Sequence, residues 1–191
     1  MQNSIRVLVS GVALTGMLTL GSFAQTSSSS GKLDKTDQHF VDKAAEGGLA
    51  EVELGNLALQ KASSDDVKKF AQRMVDDHTK ANDQLKSLAS SEGFSVPDHL
   101  SAKDTMTKEK LEKLSGDQFD KAYMKDMVQD HTQDVAEFRQ ESEKAANSGV
   151  KNFASQTLPT LESHLHEAKT IAPKVGAQAS AANTSTMAQP K

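Results

Sequence analysis

The chain has no cysteine, no tryptophan, one tyrosine (Tyr123) and four prolines among its 191 residues. Without cysteine there are no thiolate metal ligands, no thiol nucleophile and no disulfide, so burial alone must hold the fold. A lipoprotein anchor, which needs a cysteine after its apolar run, is excluded for the same reason. The lack of tryptophan, with Tyr123 standing alone, disfavours aromatic platforms for sugars or stacked bases. A formal net charge of −4 with scattered lysines leaves no basic stripe, so nucleic acid is not an expected partner. No G-x-S-x-G elbow and no Gly-rich phosphate loop occurs, which argues against nucleophilic hydrolysis and phosphoryl chemistry. Glu-x-x-His is also missing. The nearest approach, Glu162-Ser163-His164, points its two groups apart on a helix, which disfavours a standard di-iron carboxylate site.

Long hydrophobic runs are equally scarce. The one run, Val7 to Leu20, follows Arg6 and precedes Ser22-Phe23-Ala24, with small residues at the −3 and −1 positions of a signal cleavage site. It is shorter than the ~20 residues of a membrane helix, which favours a cleaved signal, an uncleaved signal anchor being the alternative. The expected organisation is therefore a signal peptide over 1–24 and a disordered serine-rich linker over 25–35. A folded domain over 36–172 and a disordered tail over 173–191 follow. The expected location is periplasmic or secreted, with no stable membrane insertion after cleavage. An oligomer is allowed, and no protein partner is specified.

Within 36–172 the hydrophobic period is 3.6 throughout, with no strand or hairpin signal. Thr36 is the expected cap of a first helix to about Ala62, with Phe40, Ala44, Gly48, Val52, Gly55, Ala58 and Leu59 on its inner face. Ser63 and Ser64 precede a second helix that ends near Gly93, with Asp65 and Asp66 favourably placed in its first turn. Val67, Phe70, Ala71, Met74, Ala81, Leu85 and Leu88 form its inner face. A third long helix is expected over 117–147, with Phe119, Tyr123, Met127, Val135 and Phe138 inward. A fourth is expected over 150–172, kinked or split at Pro159. Two short turns make two antiparallel hairpins. The linker between them exceeds twenty residues and holds a short helix capped at Ser101. The fold class is thus all-α: a ferritin-like four-helix bundle with a long crossover between helices two and three.

One pattern occurs twice. Met74-Val75-Asp76-Asp77-His78-Thr79 and Met127-Val128-Gln129-Asp130-His131-Thr132 both read M-V-x-D-H-T, fifty-three residues apart. His78 lies fourteen residues past Ser64, and His131 fourteen past Asp117. At 1.5 Å per residue both sit roughly 21 Å down parallel helices, at one level. Counting back through the turns brings Glu51 and His164 to that level on the other two helices. Glu51, His78, His131 and His164 are therefore the candidate metal ligands, suited to Cu, Zn, Fe or Mn. Asp77, Asp130 and Asp134 could orient the imidazoles, although such acidic residues are more often a solvated helix edge. Met74 and Met127 each precede a histidine by four residues, which leans the set towards copper, the competing and commoner reading being ordinary core filler. His39, His99 and His166 are expected on the surface. The competing reading is a buried polar network that fixes packing and holds nothing.

The motifs A-x-x-G-G-L-A-E-V-E-L-G (from Ala44), A-Q-R-M-V-x-D-H (from Ala71), F-D-K-A-Y-M (from Phe119) and L-P-T-L-x-x-H-L (from Leu158) resemble a known family. It is the bacterial envelope family called domain of unknown function 4142, of ferritin-like fold, and the likeness spans Asp37 to Ala172. That resemblance implies histidines at His78, His131 and His164, a glutamate at Glu51, and a periplasmic or secreted helical bundle linked to envelope stress. It implies no activity. Non-enzymatic metal sequestration or stress protection is the leading expectation. A metal-free interaction module and a metal-dependent redox enzyme are the alternatives.

Overall fold

A computed structural model describes residues 33–177. The expected signal peptide and most of the two flanking segments lie outside those residues. The described chain is all-helical: α1 Lys35–Lys61, α2 Asp65–Glu92, α3 Ala102–Glu112, α4 Gly116–Lys144 and α5 Ser148–Ile171, then a 3-10 turn, Ala172–Val175. The short helix expected in the linker is α3. Hairpin partners α1–α2 and α4–α5 pack most extensively, with α2 against α5 and α1 against α4, and α3 lies on α1 and α4.

Local chemistry sets the boundaries. Asp34, not Thr36, caps α1, its carboxylate accepting from the amides of Thr36 at 2.8 Å and Asp37 at 2.9 Å. Ser64 caps α2, and Gly93 ends it in the left-handed conformation (φ 77°), donating to the Ala89 carbonyl. Ser101 accepts from the Asp104 amide and donates to its carboxylate at 2.6 Å. Asn147 caps α5 through the Val150 amide. That helix runs through Pro159 without being split. Pro159 and Ser155 are both exposed, so the proline lies on the solvent side of the helix, where a lost backbone bond costs least.

The folded domain is also longer than its expected bounds. Leu33 is buried beside the start of α1. At the other end Pro173 opens the 3-10 turn, Lys174 pairs with Asp66 at 2.8 Å, and Ala177 is buried in the core. On α1 the buried side chains include Val41, Ala45 and Leu54, whereas Ala44, Val52 and Leu59 are only partly covered. On α2 Asn82, not Ala81, is buried.

Two buried aspartates fasten the hairpins to each other. Asp37 on α1 accepts from the amides of Ala146 (3.2 Å) and Asn147 (2.6 Å) in the α4–α5 turn. Asp120 on α4 accepts from the amides of Ser63 (3.2 Å) and Ser64 (2.8 Å) in the α1–α2 turn, and from the Ser63 hydroxyl at 2.6 Å. Asp37 and Asp120 are 83 positions apart, as are Ser64 and Asn147, Val67 and Val150, Phe70 and Phe153, and Ala71 and Ala154. The hairpins are thus approximate copies. The histidines break the correspondence, since Leu161 stands where the copy of His78 would be.

The apolar core falls into two clusters. One contains Leu54, Ala58, Val67, Phe70, Met74, Phe119, Tyr123, Met127 and Ala168. The other contains Phe40, Val41, Ala45, Leu85, Val135, Phe138, Phe153 and Leu161. On each long helix the polar residue Glu51, His78, His131 or His164 falls between the two. The candidate residues therefore form a polar layer across an otherwise apolar interior.

Candidate metal centre

His78 on α2, His131 on α4 and His164 on α5 are all buried, the last two completely. One ring nitrogen from each lies within 4.8 Å of the others. Ring centroids are 5.7 Å apart for His78–His131 and 5.4 Å for both pairs involving His164. Phe70 presents an edge-type contact to His131 and His164, with centroids at 6.4 and 6.5 Å.

Two rings are oriented from outside the cluster. His164 Nε2 lies 2.8 Å from Asp77 Oδ2, and Arg73 holds that carboxylate with its Nε at 3.3 Å while pairing to Glu167 at 2.7 Å. His131 Nδ1 lies 3.1 Å from the Met127 carbonyl. Carbonyl and carboxylate oxygens accept, so these ring nitrogens must carry the protons. In the neutral rings the lone pairs then belong to His131 Nε2 and His164 Nδ1. Those two nitrogens and His78 Nε2 are buried with no hydrogen-bond partner.

The electrostatics favour neutral rings. Burial, reinforced by His131 and His164, holds His78 well below the usual imidazole range. Burial, then His164, pushes His131 down to about 3 against the raising effect of the Met127 carbonyl. His164 is also lowered by burial, with the Asp77 bond opposing. Three unprotonated imidazoles with a ring nitrogen of each within 4.8 Å of the others are a donor set for a borderline transition-metal ion.

Glu51 falls outside this three-histidine set. It is 2% exposed and lies on the other side of His131, its Oε1 3.9 Å from Nδ1. There Glu51, Asp130 and His131 form a second group, with one ligand-type atom of each within 4.8 Å of the others. Burial, then Asp130, Asp134 and Asp126, pushes the Glu51 carboxyl well above its ordinary range. Burial likewise raises Asp130, against Lys103, and raises Asp134, with Asp130 adding to the effect. Asp126, which sequence reasoning missed, is pushed up to about 6 by burial and then Asp130. Its signal was readable, because Asp126, Asp130 and Asp134 recur every fourth residue along one face of α4.

The remaining candidates have separate positions. Asp77 meets an imidazole directly, whereas Asp130 and Asp134 belong to the carboxylate side. Met74 and Met127 are fully buried in the apolar cluster beside the layer, and Met127 reaches His131 through its carbonyl. Tyr123, also in that cluster, has a buried hydroxyl without a partner. His39, His99 and His166 are exposed.

These features define a class: an all-helical bundle whose interior is crossed by a buried three-histidine cluster. The family profile "Domain of unknown function (DUF4142)" matches residues 22–171, and the chain belongs to that family. No curated protein matches it. Among solved structures it is similar to a DUF305 protein of Streptomyces coelicolor described as secreted. The TM-score is 0.64 at 17% identity, over 75% of this chain and 94% of that one. A DUF305 fragment from Deinococcus radiodurans gives a TM-score of 0.65 at 14% identity, over 74% and 98%. At such identities the likeness concerns the fold. Among the described residues no helix is long and apolar enough to cross a membrane.

Proposed function

We propose that this protein is an exported, ferritin-like bundle that binds one transition-metal ion through His78, His131 and His164, for sequestration or protection of the cell envelope under stress. The observation that carries this reading is the set of three buried ring nitrogens without partners on three converging imidazoles. Each unmade bond of a buried polar atom costs about 1–3 kcal/mol, so three in one place make an expensive packing device. A cation accepts all three lone pairs at once. Asp77 and the Met127 carbonyl hold two of the rings in the ligating tautomer, as outer partners of metal-bound histidines do. Nitrogen donors of this kind favour Cu2+ over Zn2+ and both over Mn2+. The secreted DUF305 neighbour and the expected signal peptide support export.

Elemental analysis of the protein purified without an affinity tag, with melting measured with and without chelator, tests the reading. About one metal per chain and a chelator-sensitive melting temperature are expected, both lost in His78→Ala and His164→Ala. No Cu, Zn or Fe in the protein, and indifference to adding them, would leave the cluster as a packing network of an envelope interaction module.

A further inference from the structure

The carboxylate side of His131 has its own unmet demand. Glu51 Oε2 is buried with no hydrogen-bond partner, on a side chain that is 2% exposed. It is grouped with Asp130 and His131 rather than with the other two histidines. Asp126 and Asp134 lie one helical turn to either side of Asp130 on α4, so four carboxyl groups surround one stretch of the α1–α4 seam. The ammonium paired with Asp130 is that of Lys103 of α3, whose Nζ is 3.7 Å from Asp130 Oδ1 on a side chain 64% exposed, with Lys110 acting on Asp126 and Lys43 on Asp134. None of these lysines hydrogen-bonds the Glu51 oxygen buried inside the seam.

We propose that Glu51 and Asp130, with Asp126 and Asp134 flanking them and His131 as the wall shared with the histidine cluster, form a second cation site for a hard divalent ion of the Mn2+ type. The donor chemistry separates the two sites. Oxygen donors completed by water suit a hard ion, whereas the three imidazole nitrogens suit a softer one. The proton on His131 Nδ1 is engaged by the Met127 carbonyl, so His131 borders this site without ligating through that nitrogen. Glu51 and Asp130 sit on different helices, so the ion would tie α1 to α4. Lys103 is its competitor, leaving Asp130 as the ion enters. The proposal stands on oxygen donors that the three-histidine reading does not use.

The test is a Mn2+ titration of the purified chain preloaded with one equivalent of Zn2+, followed by the loss of the free-ion electron paramagnetic resonance signal. One Mn2+ per chain is expected beyond the Zn2+. The near-isosteric variants Glu51→Gln and Asp130→Asn should each weaken it at least about tenfold, the scale of losing one metal partner. Lys103→Gln alters only an exposed side chain and should tighten Mn2+ about two- to threefold by removing a surface ion pair. His164→Ala should abolish Zn2+ binding and leave Mn2+ binding in place. Absence of Mn2+ uptake in a chain that binds Zn2+ would overturn this proposal alone. So would uptake indifferent to Glu51→Gln, Asp130→Asn and Lys103→Gln. Mn2+ uptake in a chain that ignores Zn2+ and Cu2+ would overturn the three-histidine reading and leave this one standing.

Discussion

Gly55 and Gly47 on α1 offer a matched test of how closely the helices that carry the polar layer approach. An alanine Cβ at Gly55 would meet Val75 Cγ2 at 2.8 Å and the Ala71 carbonyl oxygen at 3.0 Å. The first is a stiff β-branched side chain, and the second belongs to the α2 backbone ladder, so neither gives way cheaply. Accommodation must move α1 away from α2, which costs about 1–3 kcal/mol as overpacking does. A Cβ at Gly47 would meet nothing within 4 Å. Both substitutions gain the same helix propensity, about 1 kcal/mol. Gly47→Ala should therefore stabilise the chain by about that amount, and the two variants should differ by about 1–3 kcal/mol, the steric cost alone. Urea unfolding followed by far-ultraviolet circular dichroism, in chelator so that metal does not contribute, reads the difference directly. Equal stability of the two variants would refute the close approach of α1 and α2 at Gly55. Gly48→Ala should fall between them, because its nearest obstacle is the end of the Asn82 side chain.

The carboxylate seam predicts a pH signature. Asp126 releases its proton near 3.8 unfolded and near 6 folded, so the folded state holds the extra proton between those values. Its contribution to stability thus falls as pH rises through that window and stays low above it. Asp126→Asn should stabilise the metal-free chain at pH 7.5 by about 1–2 kcal/mol, the full shift being discounted for partial solvent access, with no gain below pH 4. Equal effects at both pH values in chelator would refute the assignment. Asp77→Asn should weaken Zn2+ or Cu2+ binding about 10- to 100-fold while leaving the helix content intact, measured by competition with a chromophoric chelator. Asp120→Ala removes the acceptor for two amides and a hydroxyl and should destabilise the chain by about 2–3 kcal/mol in thermal unfolding. Asp37→Ala should do so comparably.

The level of the histidines was readable from the chain because it follows from counting. Two helices that start at one end and carry a histidine fourteen residues in must place those residues side by side. Glu51 was correctly read as inward, yet its grouping with Asp130 depends on differences of an ångström that a helical wheel does not contain. The wheel also misplaced part of the inner face of α1. Its single stripe ignores that α1 packs on α2, α4 and α3, which together bury Val41, Ala45 and Leu54. Asp37 and Asp120 escaped notice because their partners are turn amides more than fifty residues away. Pro159 does not split α5, because it lies with Ser155 on the exposed side of the helix, where water can meet its cost.

The reciprocal caps at Asp37 and Asp120 mean that neither hairpin is chemically complete by itself. A chain cut between Gly93 and Ser101 would yield two pieces, each with an apolar face to cover and turn amides whose acceptor lies on the other piece. The histidines divide in the same way, His78 on the first piece and His131 and His164 on the second. An ion bound to all three would therefore report the reunion of the pieces. In these terms the protein is a heterodimer written on one strand, with its polar layer at the subunit boundary.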